Sequence, residues 1–164
     1  MALKAAYFAG GCFWCITPSF YDAGAEKVIS GFSGGAEISP VYEDVKAQKT
    51  GHRETVQVIY DPDKLDYERL CRVYLAGVDP FDAGGQFIDR GRSYTLAVYY
   101  TSDLERETVC ALLKALEAES GRTPCIAVEP FTAFYAAEEK HQDFYRKNPE
   151  RFAEEMRARE EAQQ

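Results

Sequence analysis

The apolar run Ala5 to Ala9 reads as a buried strand, and Gly10, Gly11 and Cys12 follow it directly. The next stretch, Ile16 to Tyr21, carries Thr17-Pro18 and has two readings. Either Thr17 caps a helix with Pro18 as its first residue, or the helix starts at Cys12 and Pro18 bends it. Lys27 to Ser33 reads as a strand ending at Gly34-Gly35, and Pro40 begins a short turn or helix that carries Tyr42. Thr55 to Tyr60 alternates and is rich in β-branched residues, a strand closed by Asp61-Pro62-Asp63. Asp66 then caps a helix whose apolar positions, Tyr67, Leu70, Cys71, Tyr74, Leu75 and Val78, follow helical spacing. That spacing places Cys71 in the core.

Asp79 to Ser93 is polar and glycine-rich, a loop long enough to be functional or mobile. Tyr94 to Thr101 is a further strand. Ser102 caps a helix that runs to about Ser120 and stops at Gly121, with Cys110 on its apolar side. Ile126 to Val128 is a short strand, and residues 149–164 form a charged, solvated helical tail with a frayed end. The order is strand, helix, two strands, helix, strand, helix, strand. It predicts an α+β fold, a two-layer sandwich with helices packed on a mixed sheet. There is no repeat and no linker, so residues 1–164 are expected to form one catalytic domain.

Composition narrows the function classes. The 164 residues are 46% hydrophobic and 28% charged, the balance of a soluble globular chain. A net charge of −8 and no Lys/Arg-rich patch argue against nucleic acid as a partner. The N-terminus is too short for a signal peptide, and no apolar run reaches membrane-spanning length. Five cysteines are an odd count without the spacing of a disulfide framework, which fits reduced thiols in a cytoplasm.

Chemistry concentrates at Gly10-Gly11-Cys12-Phe13-Trp14-Cys15. The glycines let the backbone turn sharply and let another group approach closely. A cysteine at a strand-to-helix junction faces the positive end of the helix, which favours its thiolate. Phe13 and Trp14 would form an apolar wall beside that sulfur, and Cys15 is near enough for a disulfide. A cysteine among aromatics is more often a small core residue, so the spacing of these two does not decide the matter alone. His52 and His141 are isolated and lack ligand spacing, so a zinc site with Cys12 and Cys15 is not expected.

The sequence resembles the A-type peptide methionine sulfoxide reductases. The resemblance rests on Gly11-Cys12-Phe13-Trp14-Cys15, Ser33-Gly34-Gly35, Pro40-Val41-Tyr42, Gly51-His52-Arg53-Glu54 and Asp79-Pro80. It continues through Gly84-Gly85-Gln86-Phe87, Asp89-Arg90-Gly91-Arg92-Ser93-Tyr94 and His141-Gln142-Asp143. It implies an α+β sandwich with a ferredoxin-like core, in agreement with the strand order above. It also implies reduction of methionine-S-sulfoxide, free or in proteins, without a bound cofactor or metal. Cys12 would be the nucleophile, ending as a sulfenic acid, and Glu54 the acid. Tyr42 and Tyr94 would be hydroxyl donors to the sulfoxide oxygen, and Asp89 a carboxylate that holds water. Phe13 and Trp14 would cage the substrate methyl group.

The sequence departs from the resemblance in Thr17, Phe32 and Thr95, and in having no cysteine after Cys125. Many relatives carry resolving cysteines on a C-terminal tail, so Cys15 becomes the resolving candidate. Thioredoxin or another dithiol is the implied reductant. Two other classes compete. A general thiol–disulfide oxidoreductase would use Cys12 and Cys15 without an acid at Glu54. A binding module would keep the aromatic cage and survive loss of Cys12.

Overall fold

The computed structural model describes residues 2–162. The final two positions of the expected tail, Gln163 and Gln164, lie outside the described residues. The elements follow in chain order as β1 (Lys4–Gly10), α1 (Phe13–Ala23), β2 (Lys27–Ser33), α2 (Tyr42–Lys46), β3 (Arg53–Tyr60) and α3 (Tyr67–Ala76). The small hairpin β4 (Gly85–Gln86) and β5 (Asp89–Arg90) comes next, then β6 (Leu96–Tyr100), α4 (Asp103–Ser120), β7 (Ile126–Pro130) and β8 (Phe134–Ala136). A one-turn helix α5 (Phe144–Lys147) leads into α6 (Pro149–Ala162).

Six strands form one mixed sheet in the order β7-β6-β1-β3-β2-β8. Among the described residues only the β6–β7 pair is parallel, joined through α4, and the other pairs of this sheet are antiparallel. The inner order β6-β1-β3-β2, with α1 and α3 as the two crossovers, is the split βαβ arrangement of a ferredoxin-like core. β-Strand alternation divides the two faces. Ala6 and Phe8 of β1 join α1 and α3 in the main core, while Tyr7 and Ala9 pack with Ala97 and Tyr99 under Phe131 and Phe134. Enclosing a ring such as Phe8 or Phe20 stabilises the fold by roughly 2–3 kcal/mol.

The caps match their chemistry. Asp66 accepts the Arg69 N–H at 2.7 Å to start α3, and Ser102 accepts the Glu105 N–H at 3.2 Å to start α4. Three expectations need correction. Cys110 is exposed on α4, so it does not lie on the buried side. Strand β8 lies outside the expected strands, because Phe134-Tyr135-Ala136 is too short to alternate visibly and the β2 edge selects it by pairing. The charged tail is not merely solvated, since α6 buries Arg159 and packs Met156 against the core.

Candidate active site

Helix α1 begins at Phe13 and runs through Pro18, which decides between the two readings of that stretch. Cys12 is therefore the N-cap residue (φ −57°, ψ 117°), and Cys15 stands in the first turn with its N–H 3.1 Å from the Cys12 carbonyl. The turn before them requires glycine. Gly11 has φ +83°, and a Cβ there would sit 2.8 Å from the Cβ of Gln86.

Gln86 itself is fully enclosed and ties down the long loop. Its Oε1 accepts the Asp79 N–H at 2.7 Å, and its Nε2 donates to the Asp79 carbonyl at 2.9 Å. The β4–β5 hairpin, and Asp89 with it, is thus fixed against the Cys12 turn. A second amide plays the same part across the site. Gln48, just after α2, exchanges bonds with Ser93, accepting from its N–H at 3.0 Å and donating to its Oγ at 2.7 Å. That joins the Tyr42 helix to the short turn holding Tyr94.

Glu54 lies on β3 opposite Phe32 of β2 and is almost wholly enclosed. One carboxyl oxygen accepts the Phe13 N–H at 3.2 Å; the other is buried with no hydrogen-bond partner among the described residues. Burial pushes its pKa up to about 8, partly opposed by that N–H and reinforced by Asp89, so Glu54 is a neutral acid at pH 7. Asp89 also has an unpartnered buried oxygen, and burial raises its carboxyl. Burial, and then the charge of Glu54, raise both Tyr42 and Tyr94, which keeps their hydroxyls as proton donors.

The two thiols do not behave as the helix-end argument expects. Interaction with Cys15 first, then burial, then Glu54 and Asp89 raise Cys12 above an ordinary thiol. Cys15 is lowered by Cys12, with Arg159 assisting against burial. The pair is thus tuned in opposite directions, Cys12 upward and Cys15 downward.

An open hollow of about 340 Å³ lies against Trp14 and Tyr42 and is lined also by His141, Phe144, Lys46, Lys140 and Arg151 among others, while Cys12, Cys15, Glu54, Asp89 and Tyr94 are not among its lining residues. Trp14 is stacked on Phe144 at 4.0 Å, donates through Nε1 to His141 Nδ1 at 3.3 Å, and carries Arg151 over its face. Phe13 is not part of that lining. It is fully buried behind it, packed against Phe32, Tyr42 and His141.

The groups singled out in the sequence thus converge on one locality, with Phe13 one layer deeper than expected. Sequence reasoning missed His141, Phe144, Arg151 and Gln86 as contributors. Two of the quoted blocks gave a signal, Gly84-Gly85-Gln86-Phe87 and His141-Gln142-Asp143, and Gln142 anchors the second by accepting the Ser30 N–H at 2.8 Å. No group of three metal-ligating side chains occurs among the described residues. His52 is engaged with Gly35 and Glu37, and His141 with Trp14.

Comparison with known proteins bears on this arrangement. The profile of the family described as peptide methionine sulfoxide reductase matches residues 4–164. The peptide methionine sulfoxide reductase MsrA of Bacillus velezensis is 47% identical over 90% of this chain and 85% of its own length. The protein of the same name from Bacillus subtilis is 47% identical over 88% of this chain and 83% of its own. Among solved structures, reduced Mxr1 from Saccharomyces cerevisiae superposes with a TM-score of 0.83 at 26% identity, covering 90% of this chain and 87% of that one. Methionine sulfoxide reductase A of Corynebacterium diphtheriae gives 0.80 at 27% identity, covering 90% and 76%.

Proposed function

The chain belongs to the peptide methionine sulfoxide reductase family, and we propose that it reduces methionine-S-sulfoxide, free or in proteins, at Cys12. The observation that carries this reading is Glu54, a neutral buried acid with one unpartnered oxygen, set beside a thiol pair and two tyrosine hydroxyls. A sulfoxide oxygen would accept from the carboxyl and from Tyr42 and Tyr94, which makes its sulfur electrophilic. As the Cys12 proton passes to Cys15, the Cys12 sulfur attacks. The oxygen leaves as water with one proton from Glu54 and one supplied from solvent through the tyrosines. Water then adds to the Cys12 sulfur as methionine departs, leaving a sulfenic acid and returning one proton to Glu54. Asp89 holds that water. Trp14, with Phe13 behind it, walls the methyl group.

Cys15, one helical turn from Cys12, then attacks the sulfenic sulfur and closes a disulfide, which thioredoxin or another dithiol reopens. The yeast relative has a structure in complex with Trx2, in keeping with a thioredoxin partner. All five cysteines are free, as suits a reducing cytoplasm, and no described helix is long and apolar enough to cross a membrane.

The test is stoichiometric sulfoxide followed by mass spectrometry, then turnover with thioredoxin. The parent should release one methionine and carry a Cys12–Cys15 crosslink. Cys15→Ser should still release one methionine per enzyme and then stall with thioredoxin alone. A crosslink to Cys71, Cys110 or Cys125, or full cycling of the variant, overturns the assignment of Cys15. Rapid insulin reduction with no sulfoxide turnover would favour a general thiol–disulfide oxidoreductase, a reading that leaves the buried acid without work.

A further inference from the structure

Helix α6 brings a cation to the thiol pair. Arg159 is only 5% exposed, an uncommon place for a guanidinium. Its plane lies over the Phe87 ring at 4.1 Å, and its Nη2 reaches the Gly77 carbonyl at 3.4 Å. Its Nη1 is buried without a hydrogen-bond partner among the described residues. The side chain shares a cavity of about 80 Å³ with Cys15, Ser19, Tyr74, Gly77 and Met156. A buried cation with a free N–H is costly unless an anion faces it. Cys15 lines this cavity beside Arg159, while Asp89 from β5 and Glu155 from α6, outside its lining, are acidic groups whose charges reach Cys15.

We propose that Arg159 is a positioning residue that holds Cys15 as the thiolate which attacks the Cys12 sulfenic acid. This rests on Cys15 being the resolving cysteine. In that step Cys15 gives up the proton it took from Cys12, its sulfur bonds to the Cys12 sulfur, the Cys12 S–O bond breaks, and the departing oxygen takes that proton to leave as water. The sulfenic sulfur is reduced and the Cys15 sulfur oxidised, so no outside oxidant is needed. Arg159 acts through charge, and its stacking on Phe87 holds it at the cavity with no carboxylate in a salt bridge to it among the described residues. Glu155 and Asp89 work against it, since both disfavour a thiolate at Cys15.

The test follows disulfide formation across pH in the full-length enzyme after one equivalent of a methyl sulfoxide, by rapid quench and thiol-alkylation mass spectrometry. Arg159→Met, which keeps an apolar stem against Phe87, should move the pH midpoint of disulfide formation up by about one unit. Below that midpoint the step should then be about tenfold slower, with the yield still one methionine per enzyme. Arg159→Lys should restore the low midpoint. Glu155→Gln should move it downward, and this variant leaves the packing of Arg159 untouched should Arg159→Met loosen α6. An unchanged midpoint in Arg159→Met, a Lys variant shifted as far as Met, or no downward movement in Glu155→Gln overturns the proposal. If the parent forms no Cys12–Cys15 disulfide, the assignment of Cys15 fails instead. Alkylation of Cys15 against pH in Cys12→Ser, with and without Arg159→Met, then reads the effect of Arg159 directly.

Discussion

Arg53 and Glu54 are consecutive residues of β3, both buried and both ionisable, yet they do opposite things. Strand alternation sends them to opposite faces of the sheet. On one face Arg53 is paired: its Nε donates to Thr95 Oγ1 at 2.9 Å, and its Nη1 to the Tyr99 hydroxyl and to Glu129, each at 3.0 Å. On the other, Glu54 accepts one backbone N–H and leaves an enclosed oxygen unused. A buried charge held by an opposite charge and two hydroxyls is structural. A buried carboxyl that keeps its proton because a partner is missing is poised for a ligand that brings one.

If that contrast is right, the largest effects belong to the Glu54 face. Cys12→Ser should abolish sulfoxide reduction without loss of fold, because a hydroxyl is a poor nucleophile toward sulfur at neutral pH. Turnover within tenfold of the parent would remove Cys12 from the chemistry. Glu54→Gln should lower the rate at least about a hundredfold, since an amide donates a hydrogen bond but delivers no proton. The parent's rate should also fall as pH rises through about 8, where Glu54 ionises, and the Gln variant should lose that limb. A Gln variant with the parent's rate and pH profile would reduce Glu54 to a packing residue.

Much of this was legible in the chain. Strong alternation at Thr55–Tyr60 and helical spacing with good caps at Asp66 and Ser102 set the core elements, because local preference and tertiary packing agree there. The site residues Cys12, Glu54, Tyr42, Tyr94 and Asp89 were found by resemblance, and no periodicity could have gathered them. What stayed hidden depends on contacts between distant segments. The opposite shifts of the two thiols depend on their contact with each other and on burial, and beyond those on carboxyls from β3 and β5, far along the chain. The docking of α6 depends on Met156 and Arg159 within a stretch whose composition looks wholly solvated. Phe13 and Trp14 are neighbours in sequence, but helix rotation puts one in the core and the other at the hollow.

The Arg53 face should answer to stability instead. Arg53→Met strands the Thr95 and Tyr99 hydroxyls and leaves Glu129 without its cation, and is expected to cost about 2–3 kcal/mol in urea unfolding. Activity per folded molecule should stay within about threefold of the parent. A loss of rate comparable to that of Glu54→Gln, with stability unchanged, would erase the division between the two faces.

The smallest expected effect is a pH-dependent one at Glu54. Its carboxyl titrates near 8 in the folded chain and near 4.3 in an unfolded one, so between those values the folded state holds the extra proton. The stability this group contributes is fully present below about pH 4 and is lost as pH rises toward 8. Glu54→Gln is neutral in both states and removes that dependence. Unfolding free energies of parent and variant should therefore diverge in the variant's favour by about 1 kcal/mol between pH 6 and pH 7. The other titrating groups are common to both proteins and cancel in the difference. Parallel curves across that interval would mean that Glu54 is already ionised in the fold, and the proton it is proposed to deliver would have to come from elsewhere.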